Sequence, residues 1–132
     1  MHGTHQSVVE GNILYDVRGA GIYIEDGNEM WNYLQYNVII CPWPFKDAYL
    51  HGCTVPGTSN RSADTSDNQS GIFSLAATNN LIGNRVGNSF NGMLLQGGGQ
   101  GRGESFGKVC TSDAKIGRTE GNTFHGHGRF GT

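Results

Sequence analysis

This sequence of 132 residues has no long apolar run and no excess of charge of either sign. No segment approaches the roughly 20 consecutive apolar residues that a membrane-spanning helix needs. There are 9 basic and 11 acidic residues, and no Lys/Arg run that would follow a phosphate backbone. We therefore expect no membrane span within this segment and no nucleic-acid partner.

Cysteine is scarce, and the common catalytic motifs are missing. The chain has 3 cysteines without a C-x-x-C spacing, no G-x-S-x-G nucleophile motif and no P-loop. Cys41 and Cys53 bracket the segment CPWPFKDAYLHGC, which a disulfide would close as a loop, with Cys110 left over. N-x-S/T sequons at Asn60 and Asn68 predict glycosylation. Together these features favour an oxidising, secretory compartment.

Glycine and asparagine are abundant at turn-like positions. Glycine accounts for 22 residues, but it does not fall at every third place, which excludes collagen. Both residue types adopt a positive φ at little steric cost. The composition therefore predicts a fold with many tight turns.

A four-residue motif that ends in asparagine occurs four times: VEGN ends at Asn12, LQYN at Asn37, LIGN at Asn84 and TEGN at Asn122. The intervals are 25, 47 and 38 residues; we interpret 47 as two periods of about 23, and 38 as one period plus an insertion. A second motif, glycine followed by apolar residues, keeps the same spacing in GIYIED, GIFSLA and GMLLQG. We expect each coil to hold two short strands and a turn.

This pattern predicts an all-β fold: a right-handed parallel β-helix of PbH1-type repeats over residues 1–132, cut from a longer solenoid. Stacked coils place equivalent residues about 4.8 Å apart, so the four recurring asparagines should form a hydrogen-bonded ladder. Polar insertions at about 46–69 and 97–118 should project as binding loops. The apolar residues predicted to stack inside are Val9, Ile13, Ile22, Ile24, Leu34, Val38, Ile40, Ile72, Leu75, Leu81, Val86, Met93 and Leu95.

Three carboxylates near one strand are the candidate catalytic residues: Asp16, Glu25 and Asp26. In GIYIED, alternation turns Tyr23 and Glu25 outward if the isoleucines face inward. Glycoside cleavage by general acid-base chemistry needs two carboxyls roughly 5 to 10 Å apart, which this group would supply. The alternatives are a solvated turn closed by the Asp26-Gly27 pair, or a calcium contact.

Aromatic and basic side chains in the same region are candidate ligand-binding residues. We assign this role to Arg18, Tyr23, Trp31 and Trp43, because aromatic faces can stack on sugar rings or contact a protein partner. The alternative is that the aromatic residues cover a coil edge or anchor an insertion.

Two histidine pairs have spacings that suit metal ligands: His2 with His5, and His125 with His127. Neither pair completes a site, and no acidic third ligand is fixed by its spacing. We therefore predict no metal site and no cofactor, with calcium or another divalent cation as the open alternative.

Several segments resemble the β-helix region of the fibrocystin-L family: HGTHQSVVEGNILYDVRGAGIYIEDGNEMWN, YNVIICPWP, GCTVPGTSN, NSFNGMLLQ and EGNTFHGHGRFGT. This architecture is shared with the cell-migration-inducing hyaluronidase and transmembrane protein 2. The resemblance implies a large, secreted or single-pass cell-surface parent chain with G8 domains, although no G8 domain is visible here.

These features together predict an extracellular structural or adhesive module without turnover. It would bind glycans or extracellular proteins and stack on flanking coils of its parent chain. The alternative is a polysaccharide-cleaving, hyaluronidase-like enzyme that uses the outward carboxylates.

Overall fold

In the computed structural model, the residues described are 1–17, 19–41, Cys53, 70–96, 101–128 and Gly131. The predicted Arg18, Trp43, Asn60 and Asn68 lie outside them. The strands are β1 (Val8–Glu10), β2 (Ile13–Tyr15), β3 (Ile22–Ile24), β4 (Tyr33–Gln35), β5 (Val38–Ile40), β6 (Ser70–Ser74), β7 (Asn80–Ile82), β8 (Arg85–Gly87), β9 (Asn91–Leu95), β10 (Thr119–Glu120) and β11 (Thr123–His125).

These strands stack into three parallel sheets, with orders β1-β4-β7-β10, β2-β5-β8-β11 and β3-β6-β9. Strands of successive coils pair in register, for example Leu34 with Val9 on one side and with Leu81 on the other. Each full coil therefore contributes one strand to each sheet. The predicted parallel β-helix is confirmed.

The prediction of two strands per coil is wrong, because each full coil holds three. The asparagine motif is not one strand: a left-handed residue before each asparagine splits it in two. These residues are Gly11 (φ 67°), Tyr36 (φ 56°), Gly83 (φ 62°) and Gly121 (φ 64°). A backbone bend at this point turns the chain from the first sheet into the second.

The interpretation of the 47-residue interval as two periods is also wrong. Strand β5 pairs directly with β8, so Asn37 and Asn84 belong to adjacent coils. The extra length lies between β5 and β6, in residues that include the first predicted insertion. Of the second insertion, residues 101–118 are described and contain two short 3-10 helices, Gly103–Ser105 and Thr111–Asp113.

The core is a narrow column of apolar side chains, but its phase in the second sheet differs from the prediction. Ile13 is 79% exposed, whereas Leu14 packs against the core; Ile39 is 0% exposed, and its neighbours Val38 and Ile40 are only half-buried. The middle residue of a three-residue strand points inward here, because the turn before it resets the alternation. Predicted core residues found buried in this column are Ile22, Ile24, Leu34, Ile72, Leu81, Val86 and Met93, and Val9 and Leu95 are half-buried against it. Leu75, which was also predicted to lie inside, is buried in a separate cluster.

A second, smaller apolar cluster covers the outer face of the third sheet. Ala20, Phe73 and Leu75 are buried there, and the Arg102 guanidinium lies 5.7 Å from the Phe73 ring centroid. Residues of the second insertion therefore pack on the outside of this sheet. Within the described part of the chain, no helix has the length and apolarity that crossing a membrane requires.

Candidate functional site

The four recurring asparagines form a continuous hydrogen-bonded column at the turn between the first two sheets. The backbone N–H and the side-chain amide of Asn12 both donate to Asn37 Oδ1, at 3.0 Å each. Asn37 donates in the same way to Asn84 Oδ1, and Asn84 to Asn122 Oδ1. The amides of Asn37 and Asn84 also donate to carbonyls of the coil before each. Each buried amide in this asparagine ladder is thus saturated.

A second polar column, which the sequence interpretation missed, runs along the turn that precedes the first sheet. The Ser7 N–H donates to Asn32 Oδ1 (3.0 Å), and both Asn32 nitrogens donate to Asn79 Oδ1 (3.1 and 2.9 Å). Asn32 and Asn79 are 47 residues apart, the same interval that separates Asn37 from Asn84. That shared spacing is the signal that would have found this column.

The turn after β3 holds a buried pair of acidic residues. Asp26 is 2% and Glu29 is 0% exposed. The two Glu29 carboxylate oxygens accept the backbone N–H groups of Asp26 and Gly27, at 2.9 Å each. These bonds close the Asp-Gly turn (Gly27 φ 90°) from inside and satisfy the Glu29 carboxylate.

The second insertion packs directly on this turn. The Arg102 N–H donates to the Asp26 carbonyl at 2.8 Å. A Cβ on Gly101 would lie 2.7 Å from the Asp26 carbonyl oxygen, and a Cβ on Gly103 would lie 2.7 Å from Asp26 Oδ1. Glycine is therefore required at both places for the loop to approach so closely.

His2 joins Glu25 and Asp26 at this turn. His2 Nδ1 lies 3.1 Å from Asp26 Oδ2 and 3.7 Å from Glu25 Oε2, and the three ligand atoms are all within 4.8 Å of one another. The structure thus brings together two of the three candidate carboxylates. The third, Asp16, is exposed in the turn after β2 (φ 49°) and is not a member of this group.

We call His2, residues 25–29 and residues 101–105 together the acidic corner. Its buried polar atoms are not all satisfied. Asp26 Oδ1, Asn28 Oδ1 and Ser105 Oγ are buried without a hydrogen-bond partner among the described residues. Elsewhere among the described residues, the one other such atom is His127 Nε2. Unpartnered buried polar atoms are therefore concentrated where the insertion meets the coil.

Tyr23, a candidate ligand-binding residue, is half-buried beside the acidic corner. Its ring stacks on Phe73 with centroids 5.2 Å apart, and its hydroxyl accepts a hydrogen bond from Arg102 at 3.2 Å. Burial, followed by the Glu25 charge, raises the pKa of the Tyr23 phenol above its ordinary value. The phenol is therefore neutral at physiological pH, and one ring face is already covered. Arg102 was missed, because an arginine in a glycine-rich insertion carries no positional signal.

One known protein family matches the whole chain. The family model described as CEMIP beta-helix matches residues 1–132. This chain belongs to the CEMIP beta-helix family. Fibrocystin-L from Homo sapiens is 50% identical to it over 40 residues, which is 30% of this chain and 1% of fibrocystin-L. Fibrocystin-L from Mus musculus matches to the same extent. The resemblance found in the sequence is confirmed.

The CEMIP beta-helix chain thus spans about 1% of the length of the curated relatives that it matches. No solved structure matches it.

Two cysteines of this CEMIP beta-helix chain form a disulfide, Cys41–Cys53, with Cα atoms 5.7 Å apart. Both are 0% exposed and belong to the main apolar core; Cys41 directly follows β5, and Cys53 lies 12 residues further on, within the first predicted insertion. Cys110 is an exposed free thiol 3.1 Å from the Ser112 hydroxyl. The disulfide therefore ties the first insertion to the β-helix.

The C-terminal histidines of the CEMIP beta-helix chain do not converge on a third ligand within the described ranges. His125 is exposed, whereas His127 is half-buried with Nδ1 3.1 Å from Ser89 Oγ. Burial lowers the pKa of His127 below its ordinary value, more strongly than its contact with the Ser89 carbonyl raises it. His5 Nδ1 instead accepts the Met30 backbone N–H at 3.3 Å.

Proposed function

We propose that this chain is a non-catalytic structural and adhesive module of a secreted or cell-surface protein, and that it binds glycans on the outer side of its second coil. The observation that carries this proposal is a strip of exposed aromatic side chains: Trp31, Tyr33 and Tyr36 are 47%, 40% and 58% exposed. We call these three residues the aromatic strip. Large amphipathic rings on a rigid surface are typical of binding sites.

The fold supports the outward orientation of the strip. Asn32 and Leu34 are both 0% exposed, one in the second polar column and the other in the core. Tyr33 lies between these two inward residues, so alternation places it outside, and Trp31, in the left-handed turn before Asn32, is exposed. The strip is therefore held by buried neighbours rather than by a mobile loop.

Tyr36 is further fixed by the next coil. A Cβ on Gly83 would lie 2.7 Å from two carbons of the Tyr36 ring, so the ring packs on a bare glycine backbone. A shallow depression beside it is also lined by Val38 and the exposed Arg85. A sugar ring stacked here would bring an acidic substituent within reach of a guanidinium, which suits acidic glycans.

The disulfide supports a location outside the reducing cytoplasm, since such cross-links persist in oxidising compartments. Besides a glycan, this segment would contact the flanking coils of its parent chain, because the coils of a solenoid stack on their neighbours.

The alternative function, polysaccharide cleavage by Asp16, Glu25 and Asp26, has less support. Asp26 is 2% exposed, Glu25 lies beside His2, and Asp16 is outside their group. Glycoside hydrolysis needs two carboxyls that both face the bound sugar. A carboxylate this deeply buried does not face a groove.

The test is to incubate a panel of matrix glycans, hyaluronan included, with a longer protein that carries this segment. Binding affinity and glycan chain length are both measured. We expect binding with unchanged chain length, and at least about a tenfold weaker affinity for Tyr36→Ala, equivalent to about 1.4 kcal/mol. Phe106→Ala is the matched control, because Phe106 is an exposed aromatic residue (68%) that belongs to the second insertion and not to the strip.

Glycan shortening that disappears in the Asp16→Asn, Glu25→Gln, Asp26→Asn triple variant would establish the enzyme instead. Binding that Tyr36→Ala and Phe106→Ala affect equally would contradict the role of the aromatic strip.

A further inference from the structure

We propose that His2, Glu25 and Asp26 bind a divalent transition-metal cation, of which zinc is the best fit, at the acidic corner. This site is separate from the aromatic strip, and the proposal does not depend on glycan binding. Three features support this assignment: the donor set, its spacing, and a buried carboxylate oxygen that lacks a partner among the described residues.

The spacing of the donor atoms suits a shared cation. Zinc bonds to imidazole nitrogen and carboxylate oxygen are about 2.0–2.2 Å long, so tetrahedral ligands lie about 3.4 Å from one another. The two separations from His2 Nδ1, 3.1 Å to Asp26 Oδ2 and 3.7 Å to Glu25 Oε2, bracket that value, and all three donor atoms lie within 4.8 Å of one another. A cation at this point would thus need little movement of its ligands.

The donor types select the class of cation. Calcium and magnesium take oxygen ligands, whereas imidazole suits zinc and its first-row neighbours. One nitrogen and two carboxylate oxygens form a three-ligand set that leaves at least one position for water. The proposed ligand is therefore a zinc-like cation rather than calcium.

The buried Asp26 carboxylate is the independent observation. Its side chain is 3% exposed and Oδ1 has no hydrogen-bond partner in the described part of the chain. Among the described residues, this carboxylate forms an ion pair with His2, whose side chain is 67% exposed. An ionised carboxylate removed from water is costly unless it is paired or coordinates a metal.

The surroundings of Asp26 add to this argument. Two further buried oxygens without partners, Asn28 Oδ1 and Ser105 Oγ, belong to the same corner. Gly103 leaves the space next to Asp26 Oδ1 free of a side chain. The fully buried Glu29 carboxylate, three residues from Asp26, adds a second negative charge. A cation would offset this concentration of charge.

A bound cation would connect segments that are distant in sequence. His2 belongs to the segment before β1, Glu25 and Asp26 follow β3, and the Asp26 carbonyl accepts a hydrogen bond from the second insertion. Occupancy of the site would therefore stabilise the first coil and the docking of the insertion together.

The test is zinc titration of the chelator-treated protein by calorimetry, combined with thermal unfolding. We expect one zinc ion per chain and an unfolding temperature several degrees higher. Asp26→Asn and Glu25→Gln should each weaken zinc binding by about tenfold to a hundredfold or more, while Asp16→Asn, the matched control, retains it. Glu25 is partly exposed, so its variant is expected to remain folded even if Asp26→Asn does not.

Absence of zinc binding would overturn the proposal and leave a His2–Asp26 ion pair. Binding that is unchanged in both Asp26→Asn and Glu25→Gln would also overturn it, because zinc would then be bound without either carboxylate. Glycan binding by the aromatic strip is measured separately, so failure of either proposal is distinguishable from failure of the other.

Discussion

The asparagine ladder and the acidic corner are both turns of one β-helix, but they treat buried polar groups in opposite ways. In the ladder, Asn37 and Asn84 are 0% exposed, and each amide is hydrogen-bonded to the coils next to it. In the corner, three buried polar atoms lack a partner among the described residues. In the ladder, the repeated asparagines satisfy one another's hydrogen bonds. In the acidic corner, an insertion packs on the turn and no such repeat is present.

This contrast separates two uses of a turn. A residue that recurs in each coil can bond its own equivalent above and below, so the ladder contributes stability and leaves nothing to offer a ligand. A turn on which a single insertion packs has no equivalent in the next coil. Each of its polar atoms therefore needs a hydrogen-bond partner of its own, and a carboxylate oxygen without one can bind a ligand such as a cation.

The largest expected effect is on the ladder. Asn84→Ala should lower the free energy of unfolding by about 3 kcal/mol or more, because it leaves several buried donors and acceptors unpaired. Asn12→Ala is the control, since Asn12 is exposed at the end of the ladder, and it should cost less than about 1 kcal/mol. Chemical denaturation measures both. Equal losses would show that the ladder is not the stabilising feature.

Glu29→Gln should have an intermediate effect, because Glu29 is the saturated member of the acidic corner. The Glu29 carboxylate accepts hydrogen bonds from two backbone N–H groups, and the glutamine amide would place its own N–H group against one of them. We expect a loss of about 2 kcal/mol in the same denaturation experiment. Glu10→Gln, at an exposed position of β1, should be close to neutral. If Glu29→Gln left the free energy of unfolding unchanged, the hydrogen bonds of Glu29 would not stabilise the acidic corner.

The smallest expected effect concerns His127, whose buried Nε2 also lacks a hydrogen-bond partner among the described residues. Because burial lowers its pKa in the folded state, folding favours the neutral ring. That contribution is fully present above about pH 6.5 and is lost as the pH falls below it, since the unfolded chain then takes up the proton first.

His127 is half-buried, so its contribution should be about 0.5 kcal/mol or less. The measurement is the loss of stability from pH 7.5 to pH 5.5 in wild type and in His127→Gln. We expect the variant to lose less. An identical loss in the two proteins would place the pH dependence elsewhere.

The repeat and the fold class could be predicted from the sequence, because the same motif must recur wherever the same turn is built. The count of strands per coil could not. Gly11 and Tyr36 occupy the same left-handed turn position, and a tyrosine gives no sign that the chain bends there. The phase error at Ile13 and Ile39 follows from this, because an unrecognised turn shifts the alternation by one residue.

The site was predicted less well than the fold. Glu25 and Asp26 are adjacent in sequence, so their proximity was evident, and the Asn12–Asn122 ladder follows from the repeat. The contribution of His2 depends on how the segment before β1 returns to the turn after β3. The loop with Arg102 and Gly103 belongs to an insertion with no periodicity. Such contacts are set by tertiary packing alone, which local pattern does not encode.

Two residues of the aromatic strip occupy backbone positions that suit glycine better. Trp31 and Tyr36 have φ of 63° and 56°, a region that is strained for bulky side chains. Left-handed geometry costs a residue with a Cβ about 1–2 kcal/mol, whereas glycine adopts it freely, as it does at the Gly11, Gly83 and Gly121 turns. The second coil is thus less stable than its backbone would allow, and in exchange it displays two rings that a glycine turn would lack.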